Sequence, residues 1–204
     1  MSLTPAGALT DYLSTHGLGL VSRRLARTGI IDLVATTAPG IDDLLVLGRL
    51  KGLERDDPAD VIIVDAPASG QAIDLLRAPA QLRRAVTSGP IRQQADEVLA
   101  MLADRARTRV MLVATPAHTP VTELADTAFA LEDLISVALT PVVVNCVAPP
   151  LPVDDASNLD GAARSAVEYA LAVRASQREA TDLLSVQLPL LQLHVGFHPS
   201  RGAE

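Results

Sequence analysis

Three apolar runs limit what this chain can fold into: Val61-Ile62-Ile63-Val64, Val110-Met111-Leu112-Val113-Ala114 and Pro141-Val142-Val143-Val144-Asn145. None alternates apolar with polar residues, so each reads as a strand covered on both faces, the environment of a parallel sheet flanked by helices. The first run ends in Asp65 and the turn-forming Ala66-Pro67-Ala68-Ser69-Gly70, the second in Thr115-Pro116, and the third ahead of Pro149-Pro150. The segments between and around them carry helical spacing. A helix-strand order without an internal repeat predicts an α/β domain over residues 1–204, with a mostly parallel sheet covered by helices.

The helical segments can be read in order. Thr4 is placed to cap a first helix with Pro5 at its opening position and Leu9, Tyr12 and Leu13 on one face. Gly17 to Gly29 reads as a second helix, with Leu18, Val21 and Leu25 inward and Arg23, Arg24 and Arg27 outward. Ile30 to Thr36 is a short apolar piece, stopped by Ala38-Pro39-Gly40. Ile41, Leu44, Leu45 and Leu47 then recur at helical intervals behind Asp42 and Asp43, until Asp56-Asp57-Pro58 breaks the pattern. Ile73, Leu75, Leu76 and Leu82 predict a helix interrupted by Pro79. Ser88-Gly89-Pro90 opens another, with Ile91, Val98, Leu99 and Leu102 inward. Thr119 is the expected cap of a helix whose face carries Leu124, Ala128, Leu131 and Ile135. A long helix from Gly161 to Leu184 and a strand within Gln187 to Val195 complete the chain.

Composition narrows the chemistry. Aromatic residues make up 2% of the chain against 49% apolar residues overall, so the core is aliphatic and no aromatic ligand cage is available. A net charge of -7, without a basic stripe, argues against nucleic acid as a partner. The single Cys146 allows neither an internal disulfide nor a cysteine-rich zinc site, in keeping with a reducing cytoplasm. No apolar run reaches about 18 residues and no charged-then-apolar leader is present, so neither a membrane span nor a signal peptide is expected.

Asp65 is the residue with the clearest chemical potential. At the carboxyl end of a parallel strand, where open α/β sheets bind ligands, a carboxylate can hold Mg2+ directly or through water; it can equally cap the helix that follows. The usual phosphate-binding loop needs a glycine-rich segment ending in Gly-Lys-Ser/Thr. The only lysine, Lys51, sits between Leu50 and Gly52 in a predicted helix and cannot serve. His16, His118, His194 and His198 lack the company of a metal site and read as surface residues. Ser69 lies outside any Gly-x-Ser-x-Gly elbow.

Asp65-Ala66-Pro67-Ala68-Ser69-Gly70-Gln71 followed by Leu75-Leu76-Arg77-Ala78-Pro79 resembles the Asp-Thr-Ala-Pro-Thr-Gly-His...Leu-Leu...Pro segment of the ArsA-type, anion-transporting ATPases. Ala38-Pro39-Gly40-Ile41-Asp42-Asp43-Leu44 is similar to that family's Pro-Gly-acidic-Leu segment, Val113-Ala114-Thr115-Pro116 to its strand ending in Thr-Pro, and Val142-Val143-Val144-Asn145 to the strand whose Asn holds adenine. Leu188-Pro189-Leu190-Leu191 resembles its late loop over the base. Order and spacing agree from about Leu9 to Val195, and the likeness is to the actinobacterial branch, whose members often occur as paired ATPases.

The resemblance implies a P-loop NTPase-like fold of the SIMIBI class, incomplete on its N-terminal side, and ATP with Mg2+ as cofactors of the complete family. It implies that Asp65 stands at the Mg2+ side as catalytic and metal-side carboxylate. Pro67, Gly70 and Gln71 would lie on the loop that responds to γ-phosphate loss, Asn145 would read the base, and Pro189 and Leu190 would pack near it. Gln71 replaces the usual His, and Ala117-His118 the common Glu after Thr-Pro. The cysteines of the arsenite pump and the paired Cys-x-x-Cys of the tail-anchored-protein targeting ATPase are absent. The phosphate loop would lie upstream of Leu9. The expectation is therefore a carboxyl-terminal portion of an ArsA-like ATPase that does not hydrolyse ATP alone. The alternatives are a non-catalytic subunit that pairs with a complete paralogue and, last, an unrelated α/β binding module. A homodimer or an ArsA-like paralogue is the implied partner.

Overall fold

The structure is a computed structural model and describes residues 3, 4, 7, 8, 40–56, 59–153 and 155–197. The expectations for Pro5, for Leu9 through Pro39, for Asp57-Pro58 and for His198 lie outside the described residues. Thr4 does cap: its hydroxyl accepts the Gly7 N–H at 3.3 Å, and its carbonyl accepts the Ala8 N–H at 2.9 Å.

In chain order the elements are α1 (Ile41–Asp56), α2 (Ser69–Ala85), α3 (Pro90–Ala103), β1 (Arg109–Val110), β2 (Val113–Ala114), α4 (His118–Ile135), β3 (Ala138–Leu139), β4 (Val142–Val147), α5 (Gly161–Gln187) and β5 (Gln192–Gly196). Among the described residues every strand pairing is parallel, β1 with β3 in one sheet and β2-β4-β5 in another. The chain is α/β, as its sequence predicts. Contacts divide the chain into two compact units, residues 1–108 with 131–137 and residues 109–130 with 138–204.

In the first unit α1, α2 and α3 pack on one another. Leu44, Leu45 and Leu47 of α1, Ala78, Pro79 and Leu82 of α2, and Ala95, Val98, Met101 and Leu102 of α3 are buried. Gly40 enters α1 at φ 86°, a conformation that costs a side chain dearly, and a Cβ there would lie 3.2 Å from the Ala78 Cβ. Gly89, at φ 97°, turns the chain into Pro90, the first residue of α3. Ile91 stays exposed although its spacing places it on the inner face. The interruption expected at Pro79 does not occur. The helix runs through it, and the fully buried ring offsets the hydrogen bond that proline cannot donate.

The strand expected at Val61 to Val64 is not formed. Residues 61–68 carry no regular structure, and Val61 and Ile63 are 74% and 90% exposed. A central strand needs a hydrogen-bonded strand at each edge, and among the described residues none pairs with this run.

In the second unit, Ala114, Val121, Leu124, Ala128, Val142, Val144, Ala180, Leu184 and Leu188 form one core, to which α4, α5 and the inner face of the β2-β4-β5 sheet all contribute. Parallel register sets Val113, Val143 and Leu193 side by side, and Ala114, Val144 and His194 on the opposite face. Val113, Leu193, Val195 and Phe197 are exposed, so the sheet is covered on one face and open on the other. The run from Val110 to Ala114 divides between the sheets, yet its bonding is continuous: Thr140 N–H donates to the Val110 carbonyl and Val143 N–H to that of Leu112, at 3.0 and 2.9 Å. Helix α4 begins at His118, so Thr119 lies in its first turn and is not its cap.

Candidate functional site

The site residues named from the sequence fall into two groups, one in each unit. Asp65, Pro67, Gly70 and Gln71 lie at the entrance to α2 in the first unit. Asn145, Pro189 and Leu190 belong to β4 and the approach to β5 in the second.

Asp65 is exposed and, among the described residues, makes no hydrogen bond or ion pair. It does not cap α2. The cap position is Ala68, at φ -53° and ψ 152°, with no side-chain bond, four residues before the first helical amide partner, Ala72. The N–H groups of Ser69, Gly70 and Gln71 precede that first helical bond, Ala72 N–H to the Ala68 carbonyl at 2.9 Å. Such a helix start favours anionic groups, and the Asp65 carboxylate beside it is available to a cation. A Cβ at Gly70 would meet nothing within 4 Å, so no neighbour in the fold demands a glycine there. Lys51 lies within α1 and pairs with Glu97 of α3, away from any glycine-rich turn.

Asn145 owes its position to a bulge. Between Val144 and Val147, β4 advances three residues while β5 advances two, from His194 to Gly196. Bulges of this kind re-aim a side chain, and they concentrate beside functional sites. Cys146 carries the irregularity at φ 63°, in the left-handed region that few side chains adopt. Its N–H donates to Asn145 Oδ1 at 2.9 Å, which fixes the orientation of the Asn145 amide. Gln177 of α5 holds the same turn: its Nε2 donates to the Cys146 carbonyl at 3.3 Å, and its Oε1 accepts the Ala148 N–H at 2.8 Å. Gln177 could not be found from the sequence, because a glutamine on a long polar helix carries no signal until its partners are known.

Pro189 and Leu190 sit elsewhere. In the parallel register Val142 faces Gln192 and Val142 N–H donates to the Leu191 carbonyl at 2.8 Å, so Pro189 and Leu190 lie at the amino end of the β4-β5 pair. Asn145 lies toward its carboxyl end. Leu190 packs, partly buried, against the aliphatic core.

Among the described residues no helix is long and apolar enough to cross a membrane, and no cluster of three or more His, Cys, Asp or Glu side chains could hold a metal ion. No protein-family model matches the chain. It is similar to mycobacterial proteins named as ATPases: ATPase BagA of Mycobacterium tuberculosis strain H37Rv, and the Mycobacterium bovis protein named "Putative ATPase Mb3704". Each is 31% identical to it over 147 residues, 68% of this chain. The chain spans 42% of the length of these curated relatives.

Proposed function

We propose, from this kinship with mycobacterial ATPases, that the chain is the carboxyl-terminal portion of an ArsA-like ATPase and contributes part of a Mg2+-ATP site. In this reading Asp65 is the metal-side carboxylate, Pro67 to Gln71 form the segment that senses the terminal phosphate, and Asn145 reads the base. The observation that carries it is the segment from Val61 to Gln71. It is an apolar run with strand composition, left without a strand partner among the described residues, and it ends in a free carboxylate at a helix start. A strand buried in a complete sheet would present Asp65 and the first N–H groups of α2 at one carboxyl edge. Bound Mg2+ would neutralise phosphate charge, and Asp65 would hold it directly or through water.

The 204 residues include no Gly-Lys-Ser/Thr loop, so the grip on the β- and γ-phosphates comes from residues outside them. The chain alone therefore does not turn over ATP. The test is Mg2+-dependent ATP binding and hydrolysis by the isolated chain, and by the same chain mixed with an intact ATPase paralogue. Absent or millimolar binding by the chain alone fits this reading. Tight binding with turnover by the isolated chain sinks it. A stable complex with the paralogue, with Asp65→Ala altering the paralogue's turnover, favours instead a non-catalytic subunit built on the same open edge.

A further inference from the structure

We propose that Gln177 is a positioning residue that prevents the Asn145 amide from flipping and thereby sets a preference for adenine over guanine; this rests on the reading of Asn145 as the base-reading residue. An asparagine amide presents an acceptor on one side and donors on the other, and rotating it by half a turn exchanges them. Adenine offers an amino group and an adjacent ring acceptor, which a fixed asparagine meets with Oδ1 and Nδ2 together. Along the Watson–Crick edge guanine carries a carbonyl and a ring N–H where adenine has the amino group and the ring acceptor, so the same asparagine opposes like to like at both positions unless it flips. A freely rotating Asn145 would therefore tolerate both bases.

Two features hold it. The Cys146 N–H donates to Asn145 Oδ1 at 2.9 Å, and the Asn145–Cys146 peptide plane that aims this N–H is the one that meets Cys146 at φ 63°. That conformation is costly for cysteine and persists only where its surroundings enforce it. Gln177 supplies the enforcement from both sides of the turn, accepting the Ala148 N–H at 2.8 Å and donating to the Cys146 carbonyl at 3.3 Å. It is half-buried on α5, the helix that places Ala180 and Leu184 in the core, so its own position is set by packing. Without it, Cys146 relaxes toward an ordinary strand conformation, the bond to Oδ1 is lost, and the amide turns freely.

The test uses AMP and GMP, which address the base subsite without requiring a complete phosphate loop. Each is titrated into the 15N-labelled chain while the Asn145 side-chain amide and the Ala148 backbone amide are followed. In the wild type the Asn145 resonances respond to AMP at lower concentration than to GMP. In Gln177→Met, which keeps the side chain's bulk and removes both hydrogen bonds, the AMP:GMP affinity ratio falls about fivefold, the value of roughly one hydrogen bond. Hydrogen exchange at Ala148 accelerates in parallel. Gln177→Glu keeps the acceptor for Ala148 but sets oxygen against the Cys146 carbonyl; it loses the preference too, and it replaces the methionine variant if that one fails to fold. A purely structural role for Gln177 would weaken both nucleotides equally, so an unchanged ratio in a folded variant overturns the proposal and leaves the base reading standing. No response at Asn145 to either nucleotide in the wild type overturns the base reading itself, and the use of the clamp with it.

Discussion

Asp42 has a carboxylate oxygen that is buried and, among the described residues, has no hydrogen-bond partner. Its pKa is pushed above the usual carboxylate range, first by burial and then by the negative charge of Asp43; that of Asp43 is raised by burial and by Asp74. The start of α1 favours negative charge at this position, while burial and the neighbouring carboxylate act against it. A carboxyl whose folded pKa lies above its unfolded value is the more protonated in the folded state between the two, so stability falls as pH rises through that window. At neutral pH the full penalty is present. Asp42→Asn should therefore raise the melting temperature at pH 7, with the gain shrinking as pH is lowered through the carboxylate range. Glu54 has the opposite sign. The bidentate bond from Arg107, at 2.7 and 2.6 Å, holds its pKa down, and the stability it adds is lost as pH falls. The difference between the wild-type and Asp42→Asn melting curves removes that contribution. A difference that grew toward low pH would show that Asp42 is not the strained group.

Among the elements, those whose burial is settled by their own spacing were legible in the sequence. Leu124, Ala128, Leu131 and Ile135 form one buried stripe on α4, and Val142 and Val144 turn inward from β4 as a covered strand requires. What depends on a partner far along the chain was not legible. Val61 to Val64 have strand composition but no strand partner among the described residues, Pro79 sits in an unbroken helix with its ring buried, and Gln177 matters only through the bulge it meets. Asn145 is legible as the polar residue closing the third apolar run, but β4 continues through it to Val147, and the bulge there needs the register of β5, which no local pattern encodes. The α1-α2 contact gives the element-scale prediction. Gly40→Ala meets both the φ of 86° and an Ala78 Cβ at 3.2 Å, and should destabilise the chain by about 1–3 kcal/mol in urea denaturation. In an Ala78→Gly background the close contact disappears while the backbone strain remains, so the same substitution should cost less. Equal costs in both backgrounds would assign the whole effect to the dihedral.

At the scale of the whole molecule, two groups of apolar residues left in water have strand composition or lie on or beside a strand. Val61 to Val64 form no strand and pair with none among the described residues, and Val113, Leu193, Val195 and Phe197 lie on the uncovered face of the β2-β4-β5 sheet. An exposed run with strand propensity, no charge and no proline is a template for pairing with another chain. The isolated chain should therefore self-associate as its concentration rises, measured by sedimentation velocity, and Ile63→Lys should suppress that association. Because Ile63 is 90% exposed, the same substitution should change unfolding free energy by no more than about 0.5 kcal/mol in the isolated chain. In a complete ATPase, where the proposed function places this strand between two others, a lysine at the same position would be an unpaired buried charge. It should then cost several kcal/mol or prevent assembly. The contrast is the decisive measurement: a substitution harmless in both settings would mean that the Val61 to Val64 run is ordinary surface, and that Asp65 at its end is not held at the edge of any sheet.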